Sequence, residues 1–251
     1  MSEAAAGSPA PTPSSPGQAA VGPGLVSAVV NLVNTGPVLL GAYTLAELTA
    51  VDAIVDFLEA RPSDEVLAEA VRSLSARQLL VAGSSDHQVQ VRGDLGIAVA
   101  FQQRARIVLD ARATGTVPGE PWRILLLPQP EHIVLVVRID ALGIHEIGLY
   151  PSDQALDDLA AWLPRGRAAD PGSPVDATAV LTSSERSALV TITRYSAEGS
   201  AETVEASSDV VLARHDGRLH FFGRDPAGSG SLVPWSLDGK SVRETLADLL
   251  A

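Results

Sequence analysis

The chain has no cysteine among its 251 residues. Disulfides, thiolate metal sites, iron–sulfur clusters and cysteine nucleophiles are excluded together. Methionine occurs once, aromatic residues make up only 4%, and Lys240 is the sole lysine. An alanine- and arginine-rich chain with almost no lysine reads as codon bias from a GC-rich genome. Positive charge is scarce as well: 18 basic against 30 acidic residues leave a net charge of -12. Such a surface is repelled by phosphate backbones, so general nucleic-acid binding is not expected. Apolar side chains are plentiful at 46%, too many for a disordered chain and enough at this length for a substantial core.

No unbroken apolar run is long enough for a membrane helix. Residues 1–24 hold 19 Ala, Gly, Pro or Ser and are expected to be a disordered tail. Glu3 and five prolines also distinguish them from a secretory signal. In 25–43, Asn31, Asn34, Gly36, Pro37 and Gly41 interrupt the apolar residues. A span needs about 20 nearly continuous ones. Two short buried elements with a turn at Thr35-Gly36-Pro37 are expected instead, and no membrane span, which points to the cytoplasm.

Residues 25–104 read as an apolar, helical front section. Thr44 and Glu47 have capping-box spacing, and a helix is predicted over 45–60, with Leu45, Leu48, Val51, Val55 and Leu58 on its apolar face. Ser63-Asp64-Glu65 opens a second helix whose face continues to Leu79-Leu80. Gly83-Ser84-Ser85 is a turn, Val89–Val91 a short strand, and Asp94 the cap of a helix over 95–104. Helix, helix and strand outline a winged helix, so a transcriptional regulator with a sensor or dimerisation domain is the alternative reading. Its charge is unfavourable: residues 45–75 carry seven acids against Arg61 and Arg72.

From 105 the period becomes extended. Strands are predicted over 106–112, 122–127, 133–139 and 143–149, then a helix from Pro151-Ser152-Asp153 with Leu156, Leu159, Trp162 and Leu163 on one face. The continuous apolar runs predict strands covered on both faces. After a linker over 164–186, residues 187–251 repeat the order. Strands are predicted over 188–194, 210–214, 218–222 and 232–235, with an Asp216-Gly217 hairpin turn, and Asp238 opens a last helix with Val242, Leu246, Leu249 and Leu250. The predicted class is α+β: a helical front followed by two antiparallel sheet-plus-helix units, 105–163 and 187–251, in quasi-two-fold arrangement.

No catalytic motif emerges, so no enzyme, cofactor or metal is expected. Gly239-Lys240-Ser241 resembles a P-loop tail, but Pro234 occupies the required glycine position. His145-Glu146 lacks the second histidine of a zincin, since Leu149 stands there. Of the histidines His87, His132, His145, His215 and His220, only the last two are close, and no ligand set completes them. Arg92-Gly93-Asp94 spells an adhesion motif by coincidence, and Asp157-Asp158 are helix neighbours that point apart. Trp122, Trp162 and Trp235 suit core packing, with an exposed anchor for a protein partner as the other reading.

The stretch Ala70-Val-Arg-Ser-Leu74-Ser-Ala-Arg77-Gln-Leu79-Leu80, the following helix and the strand over 106–112 resemble the pattern of the EspG family, cytosolic chaperones of actinobacterial type VII (ESX) secretion. The resemblance covers about 45–250 and includes the two sheet-and-helix halves. It implies a non-enzymatic chaperone or adaptor for a protein partner, a secretion substrate of the PE/PPE or WXG100-like type. Independently, the 113–121 loop is longer than a tight hairpin needs, and rigid sheets display binding residues on such loops. Val117 and Pro118 at its tip and Glu120 as a specificity charge are the candidate partner-binding residues, and little of the loop is expected to be buried.

Overall fold

Thr44 ends one strand and starts one helix, and that junction joins the front section to the sheet. The computed structural model describes residues 23–53, 61–83, 89–169, 175–198, 201–224 and 231–251. Helix α1 (Pro23–Val33) leads into β1 (Val38–Thr44) and α2 (Leu45–Ala50). These are followed by α3 (Asp64–Ala76), β2 (Leu80–Ala82), β3 (Val89–Val91) and α4 (Gly93–Arg104). The Thr44–Glu47 capping box is present. The helix predicted over 45–60 nevertheless stops at Ala50, because Asp52 adopts a left-handed φ of 55°. Its later face residues Val55 and Leu58 lie outside the described residues, as do Ser84, Ser85, His87 and nearly all of the N-terminal segment. Ser63 caps α3 as predicted, whereas Leu80 belongs to β2 instead of the helix. Asp94 does not cap α4: Arg92 occupies that position, and Asp94 sits in the first turn, where its charge still favours the helix dipole.

The remaining strands are β4 (Ile107–Thr114), β5 (Arg123–Pro128), β6 (Ile133–Ile139) and β7 (Ile144–Pro151), followed by α5 (Ser152–Trp162). The segment predicted as a linker carries β8 (Arg167–Ala168) and α6 (Ala177–Ser183), and residues 170–174 within it lie outside the described residues. Then come β9 (Arg186–Glu198), β10 (Ala201–His215), β11 (Arg218–Arg224), β12 (Leu232–Pro234) and α7 (Val242–Leu250). Strands β9 and β10 run well past their predicted ends, and Ser241, not Asp238, caps the final helix.

Among the described residues the main sheet has ten strands, in the order β1-β7-β6-β5-β4-β9-β10-β11-β12, with β8 added in parallel to β11. Every other pairing in it is antiparallel. The α+β class is therefore established. Strand β1 of the front section forms an edge beside β7, and β4 lies against β9 at the centre.

The apolar runs are buried on both faces, and alternation sends successive residues to opposite cores. Leu125, Leu127, Leu135, Val137, Ile147 and Leu149 face a core closed by Val33 of α1 and by Leu95 and Phe101 of α4. Ile124, Leu126, Val134 and Val136 face the other, closed by Leu159 of α5 and Leu246 of α7. Val180 of α6 covers Ala213 and Phe222 in a smaller cluster. Among the described residues no helix is long and apolar enough to cross a membrane.

Two buried polar groups interrupt the first core's face. Arg123 of β5 donates to both carboxylate oxygens of Asp110 on β4, at 2.8 Å each, and Arg112 adds bonds of 3.1 and 3.0 Å. His145 of β7 is buried beside the Tyr43 backbone, Arg123 and Asp140; its Nδ1 is 3.0 Å from the Gly143 carbonyl, and its buried Nε2 makes no well-formed hydrogen bond among the described residues. Burial holds the imidazole below its ordinary value of 6.5, with Arg123 adding to the effect. The unfolded chain therefore binds this proton at a higher pH than the native one. Its stabilising share is complete above about pH 6.5 and declines as the pH falls through and below that value. Urea unfolding at pH 7.5 and 5.5 is expected to show this decline, and His145→Gln is expected to reduce it.

Candidate functional site

The loop between β4 and β5 is held firmly. Gly115 has φ +69°, and a Cβ there would lie 2.5 Å from the Glu185 carbonyl, so the chain leaves β4 pressed against the start of β9. A turn follows, in which the Glu120 N–H donates to the Val117 carbonyl at 3.0 Å and the Val117 N–H donates to the Glu120 carboxylate at 3.3 Å. Arg186 of β9 donates to Glu120 at 2.8 Å and to the Trp162 carbonyl at 2.7 Å, with its guanidinium 5.7 Å from the centre of the Trp162 ring. The Trp162 indole N–H in turn donates to the Pro121 carbonyl at 3.1 Å. The bonds from Arg186 and from the Val117 N–H hold the Glu120 carboxyl below its ordinary range. Glu120 is thus bolted to α5 and β9, so the loop is anchored more than its sequence suggests. Val117 is 58% exposed at the tip, and Pro118 is exposed beside it.

The β6–β7 turn emerges at the same end of the sheet, since Arg123 at the start of β5 pairs with Ile139 at the end of β6. Asp140 shapes this turn by accepting from the N–H groups of Leu142 at 2.8 Å and Ile144 at 2.9 Å. Leu142 is left 86% exposed. Trp122, 38% exposed, donates its backbone N–H to the Ile139 carbonyl and ties the two loops together. Three large apolar side chains, Val117, Trp122 and Leu142, therefore stand exposed on adjacent loops.

A cavity of about 650 Å3 lies between α5, the 119–121 segment and the sheet. Its floor includes Ile124, Val136 and Ile144, and one wall is Leu159 of α5. Arg138 of β6 reaches across it, donating to Asp158 at 3.1 Å, Glu146 at 3.4 Å and the Tyr150 hydroxyl at 2.9 Å. Arg138 and Leu142 escaped the sequence reading. The signal for Arg138 was the single charge inside the apolar run of β6.

The other motifs have structural roles. Ser241 caps α7 in a reciprocal box with Glu244, and Lys240 pairs with Asp248 at 2.6 Å. His145 and Glu146 lie on a strand, and Arg92-Gly93-Asp94 starts α4. Asp157 pairs with Arg243 of α7 whereas Asp158 reaches Arg138, so the two carboxylates do diverge. His215 and His220 have ring centroids 6.3 Å apart. Among the described residues no group of three or more histidine, aspartate or glutamate side chains is gathered to hold a metal. No protein-family model matches the chain, and no curated protein matches it significantly.

Proposed function

We propose that the chain is a non-enzymatic adaptor or chaperone that binds a protein partner at the loop-bearing end of its sheet. The observation that carries this reading is the set of exposed apolar side chains, Val117, Trp122 and Leu142, displayed on anchored loops whose residues Glu120, Pro121 and Asp140 line the cavity. Exposed aromatic and aliphatic groups on a preorganised frame bind protein surfaces at low ordering cost. The strand run β4 to β7 ending in α5, set beside the run β9 to β12 ending in α7, supports the duplicated-unit reading and with it the EspG-like resemblance. On that resemblance the partner is a type VII secretion substrate of the PE/PPE or WXG100-like type and the setting is the cytoplasm.

The regulator reading draws less support. Helix α3 carries Arg72, with Arg77 at its C-cap, and both are engaged: Arg72 with Glu69 at 2.6 Å, and Arg77 with Glu47 at 2.6 Å and over the Tyr43 ring.

Capture from native lysate tests the adaptor. The wild type is expected to retain a small helical secretion substrate, and Val117→Asp with Leu142→Asp is expected to weaken retention at least tenfold with an unchanged melting temperature. Equal retention by this variant would contradict the assignment of the surface. Salt-sensitive retention on DNA, without a protein partner, would favour the regulator.

A further inference from the structure

We infer that the cavity beside α5 takes an amphipathic helix of the partner whose apolar face is flanked by basic residues. The inference rests on the adaptor reading and adds the chemistry of the occupant. On this side of the sheet α5 packs across β5, β6 and β7. Toward the β1 edge the same face presents Leu39, 62% exposed and opposite Gly148, and Ala42, exposed and opposite Glu146. Neighbouring strands are about 4.8 Å apart, so β7 and β1 together offer a strip about 10 Å wide, the diameter of one helix. At about 400 Å3 per helical turn, the 650 Å3 cavity accommodates about one and a half turns. A helix laid there would continue the helical layer that α5 begins.

Charge selects the kind of helix. Among the described residues, four carboxylates, Glu120, Asp140, Glu146 and Asp158, line the cavity against the single guanidinium of Arg138. Two of them already have structural work: Glu120 is held by Arg186, and Asp140 shapes its turn. Glu146 and Asp158 stand on opposite sides, from β7 and α5, and Arg138 extends between them. The Arg138 guanidinium thus bridges these two carboxylates and leaves their outer oxygens for a partner. Both remain about half exposed, so each has acceptor capacity for an incoming cation. An acidic flank on the helix would meet repulsion at the same place, and electrostatics of this kind acts mainly on partner choice.

The test uses the full chain and two synthetic 20-residue peptides with the same alanine–leucine face, one flanked by arginines and one by glutamates. Fluorescence anisotropy at low salt is expected to show the arginine peptide binding at least tenfold more tightly. Its advantage is expected to vanish in Glu146→Lys with Asp158→Lys. If that variant proves unstable, Glu146→Gln with Asp158→Asn is expected to reduce the advantage at least threefold. A third peptide, the arginine sequence with a central proline, is expected to bind several-fold more weakly because the helix is broken. Equal binding of arginine and glutamate peptides, a preference that survives removal of both carboxylates, or equal binding of the proline peptide would each overturn the inference. Capture of a partner from lysate with no peptide preference would leave the adaptor reading standing and remove only this occupant.

Discussion

Replacing Asp110 with alanine is expected to lower the unfolding free energy by about 3–5 kcal/mol. The carboxylate receives a two-pronged bond from Arg123 and further bonds from Arg112, across the β4–β5 pair that carries the middle of the sheet. The Arg123 side chain is only 4% exposed, so without Asp110 its charge is left in the interior with its main acceptor gone. Removing both charges should be far milder, because desolvation of the pair offsets much of its attraction. Asp110→Leu with Arg123→Met is therefore expected to regain most of the loss. Urea unfolding of the two variants reads the difference. A single-variant loss below about 1 kcal/mol would mean that water reaches the guanidinium and that this part of the sheet is not closed.

The second large effect concerns Glu47. Its carboxylate accepts from the Thr44 N–H at 2.9 Å, the Ser73 hydroxyl at 2.8 Å and Arg77 at 2.6 Å. One buried group thus caps α2 and fastens it to α3. Hydrogen bonds to a charged group are worth about 1.5–3 kcal/mol each, and their losses overlap, so Glu47→Ala is expected to cost about 2–4 kcal/mol. Glu47→Gln can still accept from Thr44 but loses the charge opposite Arg77, and an intermediate loss is expected. Chemical denaturation followed by far-ultraviolet circular dichroism checks both. Equal and small losses would show that α2 and α3 are held by their apolar contacts alone.

Much of this fold was legible in the sequence, and the failures have physical causes. The strands of 105–163 announced themselves because runs such as Leu125, Leu126 and Leu127 are buried on alternating sides, so few polar positions blur the signal. The outer half of β10 was missed for the opposite reason. Thr203, Ser207 and Ser208 are exposed, so pairing with β9 and not burial makes them a strand. The joining of β1 to β7 is a long-range pairing, and a short segment interrupted by Gly41 gives no hint of its partner. At the candidate site, Val117 was readable as an exposed loop tip. Trp122 had an exposed anchor as its second reading, but its placement beside Leu142 was hidden, because only the β5–β6 register brings the two loops to one end. Glu120 was recognised as a charge but not as an anchor, since Arg186 lies 66 positions away.

The most direct test of the adaptor reading is site-specific photocrosslinking in the native host, with a benzophenone amino acid placed singly at four exposed positions. Val117 and Leu142 lie at the loop-bearing end, whereas Val66 and Val89, about as exposed as Val117, are controls on the front section. A discrete adduct with one small helical protein is expected at positions 117 and 142 and none at 66 and 89. Adducts confined to 66 and 89 would move the partner to the front section, and no adduct at any of the four would contradict a protein-binding role for this surface.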